Sequence, residues 1–153
     1  MEFATEHHDP DWPKYPDTVL SFCTSPRLEI DLRSPLSDEA RDGLARAGFG
    51  GSFAVMTAFD PGGRDLAPEE NEAREAGLEM TLRGRGIAFV NVDCCSPDRT
   101  HCERSVAISI PQDEATALAR KLGQVAYFWF DGRRFWIVGA LRPTDPLMLP
   151  RDK

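Results

Sequence analysis

Apolar and polar positions change rhythm several times along the chain, and each change predicts an element. Val19–Cys23 and Leu28–Leu32 alternate around Thr24-Ser25-Pro26, which predicts a hairpin. Leu28, Ile30 and Leu32 would face inward, with Glu29 and Asp31 outward. The spacing then becomes helical. Leu36, Ala40, Leu44 and Ala47 share one face of a helix over Pro35–Ala47. Ser34 is its candidate cap, Pro35 suits the first helical position, and Gly48 ends it. Ser52–Ala58 reads as a strongly apolar strand. The turn Asp60-Pro61-Gly62-Gly63-Arg64 follows, then a helix from Pro68 to Gly84 with Glu69, Glu70 and Glu72 in its first turns. Negative charge suits that end of a helix dipole. Ile87–Val92 and Arg104–Ile110 are the next strands. A helix over Pro111–Leu122 carries Ala115, Leu118, Ala119 and Leu122 on one face and ends at Gly123. Val125–Phe130 and Phe135–Ala140 form a second hairpin, joined at Asp131-Gly132.

From Ser52 onward the order is strand, helix, strand, strand, helix, strand. This predicts an α+β fold with a ferredoxin-like split βαβ core, preceded by a hairpin and helix and followed by an extra strand. The ends read differently. Residues 1–17 hold two histidines, His7 and His8, and three prolines; they predict a loosely ordered arm, tacked down by Trp12. Residues 18–141 form the single domain. Residues 142–153 carry Pro143, Pro146 and Pro150 and predict an irregular tail.

Composition narrows the function classes. A chain of 153 residues fits one domain and can bury a core without disulfide or metal. The formal net charge of −7 and the pI near 4.9 argue against nucleic acid as a partner, since that requires a basic footprint. No apolar run reaches the roughly 20 residues of a membrane span. Met1 to Trp12 is polar and acidic, without the pattern of a signal peptide. The expectation is a bacterial-type cytoplasmic protein, monomer or homodimer, with its four cysteines free.

The polar residues become informative once the topology is assumed. A ferredoxin-like order would bring Thr57, Asp60, Arg64, Asn71, Glu103 and Gln124 to one sheet edge. Asn71 lies on the inward face with Leu78 and Leu82, where a polar amide needs partners; Glu103 and Gln124 are candidates. Two readings stand. The cluster is a structural network stapling a loop to the sheet. Alternatively it is a pocket for a small polar or anionic ligand, with Arg64 as an anion clamp beside the Gly62-Gly63 backbone donors.

The same residues carry a family likeness. Thr57-Ala58-Phe59-Asp60-Pro61, then Arg64, then Glu69-Glu70-Asn71 resembles the bacterial family called domain of unknown function 3293. Glu103 to Ser105 is similar to its Glu-Ser step and Leu122-Gly123-Gln124 to its F-G-Q motif. The likeness runs from about Ser52 to Val138. Asp60 stands where an asparagine is usual, and His101-Cys102 where a tryptophan commonly precedes the glutamate. The resemblance implies no activity.

Other chemistries find less support. Cys94, Cys95, His101 and Cys102 lack the spaced pairs of a zinc site, and adjacent residues on an extended segment point apart. No metal or other cofactor is expected. Cys102 has only its sequence neighbour His101 as a candidate base, and there is no G-x-S-x-G elbow. The Gly62-Gly63 turn matches neither nucleotide fingerprint. Two alternatives to a binding module remain. One is an enzyme using Glu103 as general acid or base, with Asp60 as a second carboxylate. The other is an interaction domain using the hairpin aromatics Tyr127, Phe128, Trp129, Phe130, Phe135 and Trp136.

Overall fold

The structure is a computed structural model that describes residues 12–141 and 145–150. His7, His8 and the side chain of Trp12 lie outside the described residues. The described residues are α+β: three α-helices and an eight-stranded antiparallel curled sheet. The strands are β1 Val19–Phe22, β2 Leu28–Asp31, β3 Phe53–Met56, β4 Phe89–Cys95, β5 Cys102–Ile108, β6 Ala126–Phe130, β7 Phe135–Gly139 and β8 Leu147–Met148. The helices are α1 Asp38–Arg46, α2 Pro68–Gly84 and α3 Gln112–Lys121. Neighbours in the sheet run β2-β1-β4-β5-β3-β6-β7-β8, every pair antiparallel.

Strand alternation divides the sheet into two apolar faces. On β3, Phe53 and Val55 point to one face, and Ala54 and Met56 to the other. The first face gathers Phe22, Phe49, Phe53, Phe130 and Phe135 around Leu44 of α1. Four of those rings surround Phe53, with centroids 4.7–6.1 Å away. The second face takes Leu78 and Leu82 from α2 and Ala115, Leu118 and Ala119 from α3. Both sides of the sheet are thus covered, which is why the central strands read as continuous apolar runs.

Several expectations are corrected. Helix α1 starts three residues later than the sequence suggests. Ser37, not Ser34, caps it, its Oγ accepting from the Ala40 N–H at 3.0 Å. Gly48 follows the helix with φ +93°, as a terminating glycine should. Strands β4 and β5 extend past their apolar stretches, because cross-strand pairing continues through Cys94–Glu103 and Cys95–Cys102. That register sets Cys95 and Cys102 face to face, Cα atoms 4.0 Å apart, and their sulfurs are bonded. The expectation of four free thiols therefore holds only for Cys23 and Cys94. The partner of Cys95 lies on the returning strand, seven residues on, where only the register of β4 against β5 brings it.

The C-terminal segment, expected to run irregularly, adds β8 to the sheet through Trp136–Met148 and Ile137–Leu147. Its Leu149 is buried in the first core. The hairpin aromatics are not an open face. Tyr127, Trp129, Phe130 and Phe135 are buried, and Phe128 and Trp136 pack against the two cores. Among the described residues the only exposed large hydrophobic side chains are Met80 and Met148, so the interaction-surface alternative loses its surface. No helix among the described residues is long and apolar enough to cross a membrane.

Candidate functional site

The chain leaving β3 turns sharply at Asp60, whose φ of +44° is left-handed. Asp and Asn tolerate that region because their short side chains bond locally. Here the bonds are reciprocal with Asn71, one turn into α2. The Asn71 Oδ1 accepts from the Asp60 N–H at 2.9 Å, and its Nδ2 donates to Asp60 Oδ1 at 2.9 Å. Asp60 Oδ1 also accepts from the Leu66 N–H. Asn71 is buried and fully engaged by Asp60 rather than by Glu103 or Gln124.

A second bracket fixes the same turn to the end of α3. Gly123 has φ +74°, and a Cβ there would lie 2.7 Å from the Pro61 side chain. Glycine is needed both for the backbone and for the close approach. The Gly62 N–H donates to the Gly123 carbonyl at 2.6 Å. Gln124 Nε2 donates to the Phe59 carbonyl at 2.8 Å. Arg74 reaches from α2 to the carbonyls of Ala58 and Leu122. Thr57 donates to the Arg104 carbonyl at 2.7 Å and accepts from the Phe59 N–H. Every polar residue of the Thr57–Asp60 stretch therefore has a structural duty.

Beneath this bracket α2 carries two buried acids that the sequence reading did not single out. Glu75 and Glu79 continue the inward face begun by Asn71, at successive four-residue steps. That spacing was the available signal. Glu79 accepts from Arg104 and from Asn91 Nδ2, both at 2.9 Å. Glu75 Oε1 accepts from the Ala58 N–H at 2.9 Å, and its Oε2 has no hydrogen-bond partner. Burial, above all, raises the Glu75 carboxyl to about 7; Glu79 pushes the same way, while the Ala58 N–H and Arg104 oppose it.

On the opposite face of the sheet from α2 and α3, the first apolar core gives way to a cavity of about 790 Å³. Val55, Thr57, Glu103, Ser105, Ala126 and Phe128 bring the sheet to it. Tyr15, on the short 3-10 helix Trp12–Asp17, sets its ring 6.3 Å from that of Phe128. The β4–β5 loop closes another side. Asp98 holds that loop by accepting from the Thr100 N–H and from the Ser96 and Thr100 hydroxyls, which lower its carboxyl to about 2.

Four of the six expected ligand-binding residues line this cavity: Thr57, Asp60, Glu103 and Gln124. Asn71 stands behind it, in the bracket. Arg64 is exposed and turned onto its own turn, its Nε donating to the Pro61 carbonyl at 3.3 Å. The anion clamp has no place in the cavity, because the turn closes on itself before that side chain can reach inward. His101 Nε2 lies 3.4 Å from Glu103 Oε2 on the rim. Cys94 also lines the cavity, but burial pushes its thiol up to about 12, so it is no ready thiolate nucleophile. Among the described residues no group of three or more His, Cys, Asp or Glu is placed to hold a metal ion.

No curated protein and no solved structure matches this chain. The two brackets are built from the motif residues Thr57, Asp60, Asn71, Gly123 and Gln124, and three of them, Thr57, Asp60 and Gln124, line the cavity. Residues 56–127, which include them all, match the family model described as Protein of unknown function (DUF3293), and this stretch of the chain is a DUF3293 domain.

Proposed function

We propose that the protein is a binding module for a small ligand, held in the concave cavity between the sheet, the Tyr15 segment and the β4–β5 loop. The observation that carries this reading is the cavity itself. At about 790 Å³ it falls within the range of small-molecule sites. Its wall combines aromatic and aliphatic surface from Tyr15, Val55, Phe59 and Phe128 with polar groups at Thr57, Asp60, Glu103 and Gln124. Polar groups of that kind fix orientation while the apolar wall supplies affinity. Asn71 acts through Asp60, as a positioning residue.

In this reading the middle of the chain is a ferredoxin-like split βαβ. The adjacency β4-β5-β3-β6, antiparallel throughout, supports it, as does the packing of α2 and α3 on one face. The part of the other face beside the aromatic core, lined by Val55, Ala126 and Phe128, is then the place for a ligand.

Titration of the 15N-labelled protein with a mixed fragment library tests the reading. Chemical-shift changes are expected to cluster at Thr57, Glu103, Gln124 and Phe128. Changes scattered over the surface, or confined to the α2–α3 face, would overturn it.

A further inference from the structure

One wall of the cavity is fastened by a disulfide. We infer that Cys95–Cys102 is a redox clasp: opened by a dithiol reductant, it loosens the β4–β5 loop and weakens the cavity's hold on its ligand. This rests on the binding-module reading above. The two cysteines are seven positions apart and close the loop at its base. Ser96, Asp98, Thr100 and His101, all between them, line the cavity, as does Cys95 itself.

Sheet register shows what the bond adds. Strand β3 pairs with β5 only through Ala54–Ile108, Val55–Ala107 and Met56–Val106. From Ser105 back to Cys102, β5 has β4 as its only sheet neighbour among the described residues. Arg104 is still held, by Thr57 at its carbonyl and by Glu79 at its guanidinium. Glu103 and Cys102 lie beyond that hold. Strand β4, by contrast, is flanked by β1 as far as the Val19–Cys95 pair. The disulfide thus ties the less supported strand end to the better supported one. The remaining ties of the loop are exposed. Arg99 pairs with Glu29 at 2.7 Å, but both side chains are about half exposed, where such a pair contributes little. The bonds that Asp98 accepts from Ser96 and Thr100, and the one from the Ser96 N–H to the His101 carbonyl, join the loop to itself. Removing a cross-link enlarges the set of open states of such a segment.

The clasp is also reachable. Cys102 is exposed, whereas Cys95 is 5% exposed. Exposed disulfides are the ones that exchange readily. A thiolate of the dithiol attacks the Cys102 sulfur and bonds to it. The Cys95–Cys102 bond breaks, its electron pair leaves on the Cys95 sulfur, and that sulfur takes up a proton. The second thiol of the reductant then displaces Cys102, which is protonated in turn. The protein gains two thiols, and the reductant becomes a cyclic disulfide.

The test compares the 15N-labelled full chain before and after treatment with dithiothreitol. Alkylation in urea, counted by mass spectrometry, should rise from two cysteines to four. Amide exchange at residues 96–103 should quicken about tenfold on reduction, while the amides of α2 and α3 keep their rates. The ligand probes are fragments from the mixed library that shift the Gln124 and Phe128 amides of the oxidised protein. If the closed wall is populated about a tenth of the time after reduction, these fragments bind about tenfold more weakly. Cys95→Ala combined with Cys102→Ala, its fold checked by circular dichroism, should bind them as the reduced protein does, with or without dithiothreitol. Cys23→Ser, which leaves the clasp in place, should keep the full response. Equal affinity in the two redox states, tighter binding after reduction, or a double variant that still responds to dithiothreitol would overturn the clasp and leave the pocket standing. Exchange quickening equally in α2 and α3 would also overturn it, since the disulfide would then serve the whole fold. Fragments that shift no cavity amide in either state would overturn the pocket reading and the inference together.

Discussion

The ionisation of Glu75 ties the stability of this fold to pH. Glu75 is wholly buried, one carboxyl oxygen bonded to the Ala58 N–H and the other without a partner. Its carboxyl is raised from 4.5 to about 7, chiefly by burial. The folded state thus holds this proton more tightly than the unfolded chain does. The site costs nothing below the unfolded pKa; its penalty grows as pH rises from 4.5 through 7 and is complete above that. A shift of this size corresponds to a penalty on the order of 3 kcal/mol. Urea denaturation should therefore show wild-type stability falling between pH 5 and 8. Glu75→Gln can keep the acceptor for Ala58, so it should flatten that profile and exceed wild type at pH 8. A Glu75→Gln protein weaker than wild type at pH 8 would mean that the carboxylate is held ionised by Arg104.

At the scale of elements, the start of α2 and the turn after β3 are one unit, because Asn71 and Asp60 satisfy each other. Removing the amide would leave the Asp60 N–H and a carboxylate oxygen short of partners in a part-buried site. Asn71→Ala should cost about 2 kcal/mol, within the usual range for orphaned buried groups. Hydrogen exchange should localise the loss to residues 58–71. Exchange unchanged at the Asp60 amide would refute this account of the turn. The boundaries of α2 were legible in advance, since Pro68, the leading glutamates and Gly84 mark them directly. The inward acids were not, because a glutamate at helical spacing reads as solvated until the opposing sheet is known. The Cys95–Cys102 pair was missed for the same reason: register belongs to two strands, and neither strand's sequence contains it.

At the scale of the whole molecule, a single sheet carries two cores, and Phe53 lies at the centre of the aromatic one. It is fully buried among Phe22, Phe49, Phe130 and Phe135. Phe53→Ala should cost about 3–5 kcal/mol by equilibrium denaturation. That is a large share of the 5–15 kcal/mol typical of a domain. A loss under 1 kcal/mol would mean that the rings close over the gap, and that this core is not the packed centre described above. Val55 and Ala126 belong to this core and also line the cavity, so core and site share one face of the sheet.

The sequence by itself determined the elements. Period-two and helical spacing, prolines, glycines and the Asp131-Gly132 turn act over a few residues and can be read locally. It also determined that Thr57, Asp60 and Asn71 matter, through their motif. Only the tertiary structure decided what each of them does. Asn71 closed on Asp60, Arg64 folded back onto its own turn, and Gln124 turned its nitrogen to the Phe59 carbonyl. Those outcomes depend on distances between elements far apart in the chain, which packing sets and local pattern does not encode.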